Sequence, residues 1–230
     1  ITGKELDRIA ETFIRDHSAV PSFKNYRGYP FSLCISVNEM VVHGFPSDKP
    51  FQEGDLVSID CGVYLNGYHG DSAFTFGLGE MPQATIKLMK VTRECLQKGI
   101  EKALIGNRLG DISYAVQQHA ESNGFSVVRE LVGHGIGKQL HESPEVPNYG
   151  KRGNGPLLKE GLIIAVEPMI NQGQRDVRTL RDRWTVVTRD GMPSAHYEHT
   201  IAIGKEKADV LSTFEYIEEV IKENNNITLA

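Results

Sequence analysis

Apolar residues recur at helical spacing at Leu6, Ile9, Phe13 and Ile14, with charged residues between them, which predicts an amphipathic helix over residues 5–14. The same period marks helices over residues 83–104 and 111–123. In the second of these Ile112, Ala115, Val116 and His119 share a face, and Gly124 stands where a C-cap belongs. Elsewhere the pattern turns strand-like, over residues 32–42, 56–64 and 68–76. The last two runs flank Asn66-Gly67, the dipeptide that best tolerates the positive φ angles of a two-residue type I′ turn, so a hairpin is predicted. Short strands are predicted over residues 125–131, 162–168, 184–188 and 195–203, then a last helix over 214–223 and a fraying polar run over 224–226. Residues 21–30 fit neither period: Phe23, Asn25, Tyr26, Gly28 and Tyr29 between two prolines are loop chemistry, with side chains large enough to wall a pocket.

The hairpin fixes a register. With Asn66 and Gly67 in the turn, Asp60 faces Ala73 and Asp71 faces Gly62, so the two aspartates share one face as diagonal neighbours, roughly 7 to 8 Å apart at Cα. Two carboxylates so placed converge on a common cation or repel each other. The same arrangement is duplicated. Glu53 to Asp60 aligns with Glu160 to Glu167, 107 positions on (residue 53 to residue 160). Asp71 to Gly77 aligns with Glu198 to Gly204, 127 positions on (71 to 198). The helix at Leu6, Ile9 and Phe13 has a looser counterpart at Ile112, Ala115 and His119, 106 positions on (6 to 112). Two α+β halves related by a pseudo-twofold axis, each lending an acidic pair, account for all three matches.

Composition narrows the function. The 230 residues, 40% hydrophobic and 24% charged, suit one compact domain or two fused halves, and residues 1–230 are expected to form a single catalytic domain with a tail at 205–230. Lysine and arginine total 25 against 30 acidic residues, a formal charge of -5 that gives no footprint for gripping nucleic acid directly. Cys34, Cys61 and Cys95 contain no C-x-x-C pair, which argues against a disulfide framework or a thiolate zinc cage and for the cytoplasm. No stretch approaches the roughly 20 apolar residues of a membrane helix, so no membrane partner is expected. The chain opens at Ile1 without an initiator methionine, and a preceding segment is expected to be missing.

Asp60 interrupts the apolar run of Leu56, Val57 and Ile59, and Glu167 follows Ile163, Ile164 and Val166. A buried unpaired carboxylate costs several kcal/mol or changes its protonation. Salt bridges or hydrogen bonds explain any one of these residues; for four carboxylates in duplicated positions a metal is the better account. His134 lies in Gly133-His134-Gly135-Ile136-Gly137, where the glycines are expected to let the backbone turn tightly and deliver the imidazole. A phosphate cradle is the rival reading, but the Lys-Ser/Thr ending of a P-loop is absent. His43 precedes Gly44 in a loop, and His141 opens His-Glu-Ser-Pro. H-E-x-x-H and G-x-S-x-G are both missing, against a zincin or a serine hydrolase.

Taken together, Val57-Ser58-Ile59-Asp60-Cys61-Gly62, Asn66-Gly67-Tyr68-His69-Gly70-Asp71-Ser72-Ala73, Gly133-His134-Gly135-Ile136-Gly137, His141-Glu142-Ser143-Pro144, Ala165-Val166-Glu167-Pro168-Met169 and Tyr197-Glu198-His199-Thr200 resemble the motifs of the type I methionine aminopeptidases. The resemblance runs over about residues 1–203, in that family's order and spacing. It implies the pita-bread fold, an antiparallel sheet with helices on one side and two pseudo-twofold-related halves. It implies two divalent ions (Co, Mn, Fe or Zn) on Asp60, Asp71, His134, Glu167 and Glu198, with Asp60 and Glu198 bridging, and a hydroxide as nucleophile. Glu167 would relay the proton to the leaving amine, His141 would hydrogen-bond the scissile carbonyl, and His43 would contact the amide nitrogen. The substrate would be a peptide or nascent chain with N-terminal methionine, met in the cytoplasm and at the ribosome, its thioether held by Tyr26, Tyr29, Cys34 and Trp184. Asn38 and Ser194 match positions where relatives hold Na or K. Leu140 stands where many relatives carry an aromatic residue and is expected to widen the pocket, and the helical turns that precede residue 1 in relatives are absent from this sequence. Two rivals remain. An X-Pro aminopeptidase or prolidase carries an extra domain for which this chain has no room. A non-catalytic pita-bread binding module loses ligands, and here all five ligand positions stand.

Overall fold

A computed structural model describes residues 1–222, 224 and 226–228. The first helix, α1 (Gly3–Asp16), starts at a reciprocal cap: the Thr2 hydroxyl accepts from Glu5 N–H at 3.2 Å and the Glu5 carboxylate accepts from Thr2 N–H at 2.8 Å. Its inward face differs from the apolar pattern. Ile14 is buried, but Ile9 and Phe13 are exposed, and Asp7 turns inward because its carboxylate accepts the backbone N–H groups of Ser32 and Leu33, both at 2.8 Å. Two otherwise unpaired donors outweigh the burial of one more apolar side chain.

The chain continues through β1 (Val20–Pro21), an aromatic loop with a 3-10 turn at Tyr26–Gly28, β2 (Cys34–Val37) and β3 (Met40–Val42). The run expected over 32–42 is thus split, by a turn at Asn38 with φ +57°. The hairpin β4 (Leu56–Leu65) and β5 (Tyr68–Leu78) turns at Asn66 and Gly67, with φ +51° and +90°, and keeps the expected register, Asp60 opposite Ala73 and Gly62 opposite Asp71. Two helices follow, α2 (Gln83–Ile100) and α3 (Leu109–Ser122). The first ends four residues early because Leu104 bridges to Gly204 and Ile105 N–H donates to the Gly204 carbonyl. Gly124, at φ +86°, closes the second as expected.

Then come β6 (Ser126–Val127), β7 (Gly133–Gly135), β8 (Glu142–Val146), β9 (Ile163–Val166), β10 (Met169–Asn171), β11 (Val177–Thr179) and β12 (Val186–Thr188). The strand expected over 195–203 divides at Tyr197 into β13 (Ser194–His196), which pairs with β10, and β14 (Glu198–Ala202), which pairs with β5 and β9. After β15 (Asp209–Val210) the last helix, α4 (Glu215–Ile221), precedes β16 (Ile227–Thr228). The predicted helix end at 223, residue 225 of the polar run, and the chain end at 229–230 lie outside the described residues.

The main sheet is antiparallel, ordered β1-β4-β5-β14-β9-β7-β8, with β2 beside β4, β15 beside β14 and β16 beside β5. Alternation along its strands separates two faces. Behind, Ile164, Val166 and Ile201 pack on Leu96, Leu109 and Ile112, while Val57 and Ile59 meet Leu6 and Ala10, so the helices cover one side. The repeat is visible in matched hydrogen bonds. Lys4 N–H donates to Ser47 O at 3.1 Å as Gly110 N–H does to Asn154 O at 2.9 Å, and Phe51 N–H donates to Ile1 O as Leu158 N–H does to Asn107 O. Both α1 and α3 have 14 residues.

Candidate metal centre and substrate pocket

The front face of the sheet collects the acids in two rows. Cys34, Asp60, Ala73 and Glu198 oppose one another across β2, β4, β5 and β14. Glu167, one residue past β9, extends that row, because His199 pairs with Val166. Two residues along runs the second row, from Asp71 through Thr200 and Ala165 to His134. The Thr200 hydroxyl stitches it, accepting from Asp71 N–H at 2.9 Å and donating to Asp71 O at 2.8 Å. Directly opposed residues, and residues two apart, point to the same side, so every candidate ligand projects forward.

One atom each of Asp71, His134 and Glu198 lies within 4.8 Å of the others, and His134 Nε2 is 3.6 Å from Glu167 Oε1. Burial raises the carboxyls of Asp60, Glu167 and Glu198 well above the usual range, and the like charges of their neighbours, Asp71 foremost, push the same way. Burial also lifts Asp71 to about 7, against the hydrogen bonds it shares with Asp60 and Ser72 N–H. Asp60 Oδ1 and Glu198 Oε1 are buried without a hydrogen-bond partner. Orphaned, mutually repelling oxygens in one row have no use in a bare core. The mixed carboxylate and imidazole donors fit a divalent cation, which would supply the missing partner. His134 is prepared for this: its Nδ1 lies 2.9 Å from the Gly135 carbonyl and donates there, which leaves the Nε2 lone pair facing the acids.

The glycines around His134 serve a different purpose from the tight turn expected of them. Gly133, Gly135 and Gly137 have no positive φ; the first two lie in β7, where a Cβ would sit 2.3 Å from the Ala165 carbonyl oxygen and 2.3 Å from that of Ser143. Close strand approach on both sides, and not turning, requires glycine there.

In front of the acids is a cavity of about 170 Å³. Its apolar wall is Phe23, Tyr26, Tyr29, Cys34, Leu140 and Trp184; its polar end is His43, His134, His141 and the four carboxylates, with Arg27 beside them. Tyr29 is buried edge-on to Trp184 at 5.1 Å, its hydroxyl within reach of the Leu33 and Gly44 carbonyls. His43, held at φ +58°, faces Trp184 edge-on, and burial pulls its imidazole down to about 4. His141 places Nδ1 2.8 Å from the Tyr26 hydroxyl and its ring 4.3 Å from that of His134; desolvation and the neighbouring His134 and Arg27 pull it down to about 4 as well. Both imidazoles are therefore neutral at pH 7.

Asn38 and Ser194 come together but outside the cavity. Ser194 N–H donates to Asn38 O at 3.0 Å, Asn38 Oδ1 already accepts from Leu56 N–H at 2.9 Å, and the Ser194 hydroxyl is 2.8 Å from Asn171 Oδ1. Sequence reasoning passes over Arg27 and His196. The latter is buried with Nε2 3.9 Å from Glu167 Oε2, and its signal was parity, two positions before Glu198.

Comparison with known proteins agrees with this geometry. The profile of metallopeptidase family M24 matches residues 1–205. The chain is 57% identical over 212 residues to a methionine aminopeptidase of Clostridium perfringens, covering 92% of this chain and 85% of that one. It is 53% identical over 212 residues to methionine aminopeptidase 1 of Bacillus subtilis, with 92% and 86% covered. The crystal structure of methionine aminopeptidase from Rickettsia prowazekii superposes with a TM-score of 0.90 at 44% identity, over 91% of this chain and 85% of that one. The prolidase from Pyrococcus furiosus, at 22% identity and a TM-score of 0.73, covers 94% of this chain and 56% of its own, and shares the fold alone.

Proposed function

We propose that this chain, which belongs to metallopeptidase family M24, removes N-terminal methionine from peptides and nascent proteins. The observation that carries the reading is the join of two features: five candidate ligands on adjacent rows of one sheet face, and a small cavity with an apolar wall directly in front of them. At about 170 Å³ that cavity is below the size of ordinary ligand pockets and suits one side chain. A substrate that must bury its first side chain there presents its α-amine and first peptide bond to the acids, which limits cutting to the terminal residue.

Asp60, Asp71, His134, Glu167 and Glu198 would hold two divalent ions, whose four positive charges the four carboxylates balance. When bound, such ions supply Lewis acidity and bring the pKa of a coordinated water near neutrality. Glu167 stands one residue past β9, and its carboxylate would take up a proton and pass it to the leaving amine. The Tyr26 hydroxyl lies 2.8 Å from His141 Nδ1, and by donating there it would put the ring's proton on Nε2, ready for the scissile carbonyl oxygen as charge develops on it. His43 faces the amide nitrogen. Tyr26, Tyr29, Cys34 and Trp184, with Phe23 and Leu140, receive the thioether, polarizable against aromatic faces. Asn38 and Ser194, joined by the Ser194 N–H to Asn38 carbonyl hydrogen bond, would lend oxygens to any Na or K ion. Among the described residues no helix is long and apolar enough to cross a membrane, and three free cysteines fit a cytoplasmic site of action beside nascent chains.

The test is methionine release from Met-Ala-Ser with Mn(II), Fe(II) or Co(II). Release from that peptide, with none from its N-acetylated form and none of alanine from Ala-Pro, supports the reading. Preferential cutting of Ala-Pro would move the protein to the X-Pro class, and no release with any metal would make it a binding module.

A further inference from the structure

His196 ends β13 in full burial, and its backbone is pinned: His196 N–H donates to the Thr75 hydroxyl at 3.1 Å, and that hydroxyl lies 2.6 Å from the His196 carbonyl. The side chain, so fixed, has no hydrogen-bond partner at Nε2. An apolar side chain would fill the space without that penalty, so a buried orphan nitrogen calls for a partner. The acid it faces is Glu167, with Oε2 at 3.9 Å, while His134 Nε2 stands 3.6 Å from Oε1 of the same carboxylate. The two imidazoles are not equivalent. His134 donates through Nδ1 to the Gly135 carbonyl and offers Glu167 only a lone pair, so it cannot orient that carboxylate by donation.

We propose that His196 is a positioning residue whose Nε2–H donates to Glu167 Oε2, fixing which oxygen of Glu167 faces the metal centre and which handles the proton. The separation closes to hydrogen-bond length with about 1 Å of carboxylate movement, the tightening expected when a site is loaded. The assignment rests on the role proposed for Glu167, but its consequence for metal affinity does not depend on turnover. Partners that orient a ligand are commonly worth about 10- to 100-fold in affinity or rate.

The experiment compares wild type with His196→Leu and His196→Met, which fill the space without a donor, and with His196→Gln, which keeps an N–H. Each is measured twice: kcat and KM on Met-Ala-Ser at saturating Mn(II), and Mn(II) affinity of the metal-free protein by calorimetry. Leu or Met, whichever folds, should lower kcat about 10- to 100-fold with KM within about threefold, and weaken Mn(II) binding about tenfold. Gln should recover both to within about fivefold of wild type. Unchanged kcat and Mn(II) affinity in the apolar variants would reduce His196 to packing, and a Gln variant as impaired as Leu would show that ring shape, not the donor, matters. A wild type that releases no methionine would overturn the proposed function, while the calorimetric comparison would still decide the role of His196.

Discussion

Each half of the repeat contributes an acidic pair, but the two pairs live in different surroundings. Asp60 and Asp71 sit in the middle of the β4–β5 hairpin, on short side chains, with Asp71 tied to Ser72 N–H at 3.0 Å and to the Thr200 hydroxyl through its backbone. Glu167 lies past the end of β9 on a longer side chain, with an imidazole against each oxygen. The first pair is rigid and can hold a cation; the second has the reach to move a proton as well. On the roles proposed above, the repeat would give the scaffold, and the departure from it would separate holding a cation from transferring a proton.

The sharpest way to break that contrast is a pair of variants. Glu167→Ala should lower kcat by about 10³-fold or more, within the range for loss of a proton-transfer group, with native circular dichroism and no rescue by excess Mn(II). Asp71→Asn should lose metal affinity first and regain most of its activity as Mn(II) is raised. Equal rescue of both variants would erase the distinction.

The acid cluster also predicts how stability depends on pH. Folding raises the pKa of Asp60, Asp71, Glu167 and Glu198, so their contribution favours the metal-free fold at low pH and is lost as pH climbs from the unfolded carboxylate range through the folded values, about 7 for Asp71. His43, His134 and His196 are depressed by burial and act oppositely, adding stability with rising pH until the unfolded value of 6.5 is passed. Above pH 6.5 the histidine contribution fades and the slope of the carboxylates prevails, joined towards pH 8 by the buried thiols of Cys34, Cys61 and Cys95, which burial also raises. Calorimetry in EDTA should show Tm falling from pH 6.5 to 8, and saturating Mn(II) should remove the fall. A flat Tm in EDTA would mean that the acids ionise independently of folding.

Much of the first pair was legible in the sequence because a two-residue Asn-Gly turn dictates register, and register dictates which side chains share a face. The second pair was reached only by alignment to the first. Its strands are short and meet across distant pairings, β14 on β5 and β9, which no local pattern encodes. Gly133 and Gly135 misled for the same reason, since the carbonyls that exclude a Cβ belong to Ala165 and Ser143 on neighbouring strands. Ile9 and Phe13 fit a helical stripe, yet the core took Asp7 instead, to satisfy Ser32 and Leu33. His196 carried no motif, and its place behind Glu167 emerges only once β13 and β14 separate at Tyr197.

Where the halves meet, smaller effects should appear. The hydrogen bond from Tyr26 to His141 joins the aromatic loop of the first half to the mouth of the second. Tyr26→Phe frees the His141 tautomer and should lower kcat/KM about 3- to 10-fold, an ordinary hydrogen bond's worth, with the loss in kcat. A loss confined to KM would assign Tyr26 to methionine binding alone.

Leu140 makes the complementary crossing, from the second half into the cluster of Phe23, Tyr29 and Cys34. It is buried and lines the cavity, so Leu140→Phe adds volume to a space already sized for one side chain. Overpacking of this kind costs about 1 to 3 kcal/mol unless neighbours yield, and here the incoming methionine can yield instead. KM for Met-Ala-Ser should rise about two- to fivefold with kcat unchanged, because the added ring opposes substrate and transition state alike. Norleucine, with the same length and no sulfur, should suffer equally in Met's place if volume is the cause. Identical KM values for Leu140 and its Phe variant would mean that methionine enters elsewhere, and the apolar wall would then belong to the fold and not to the substrate.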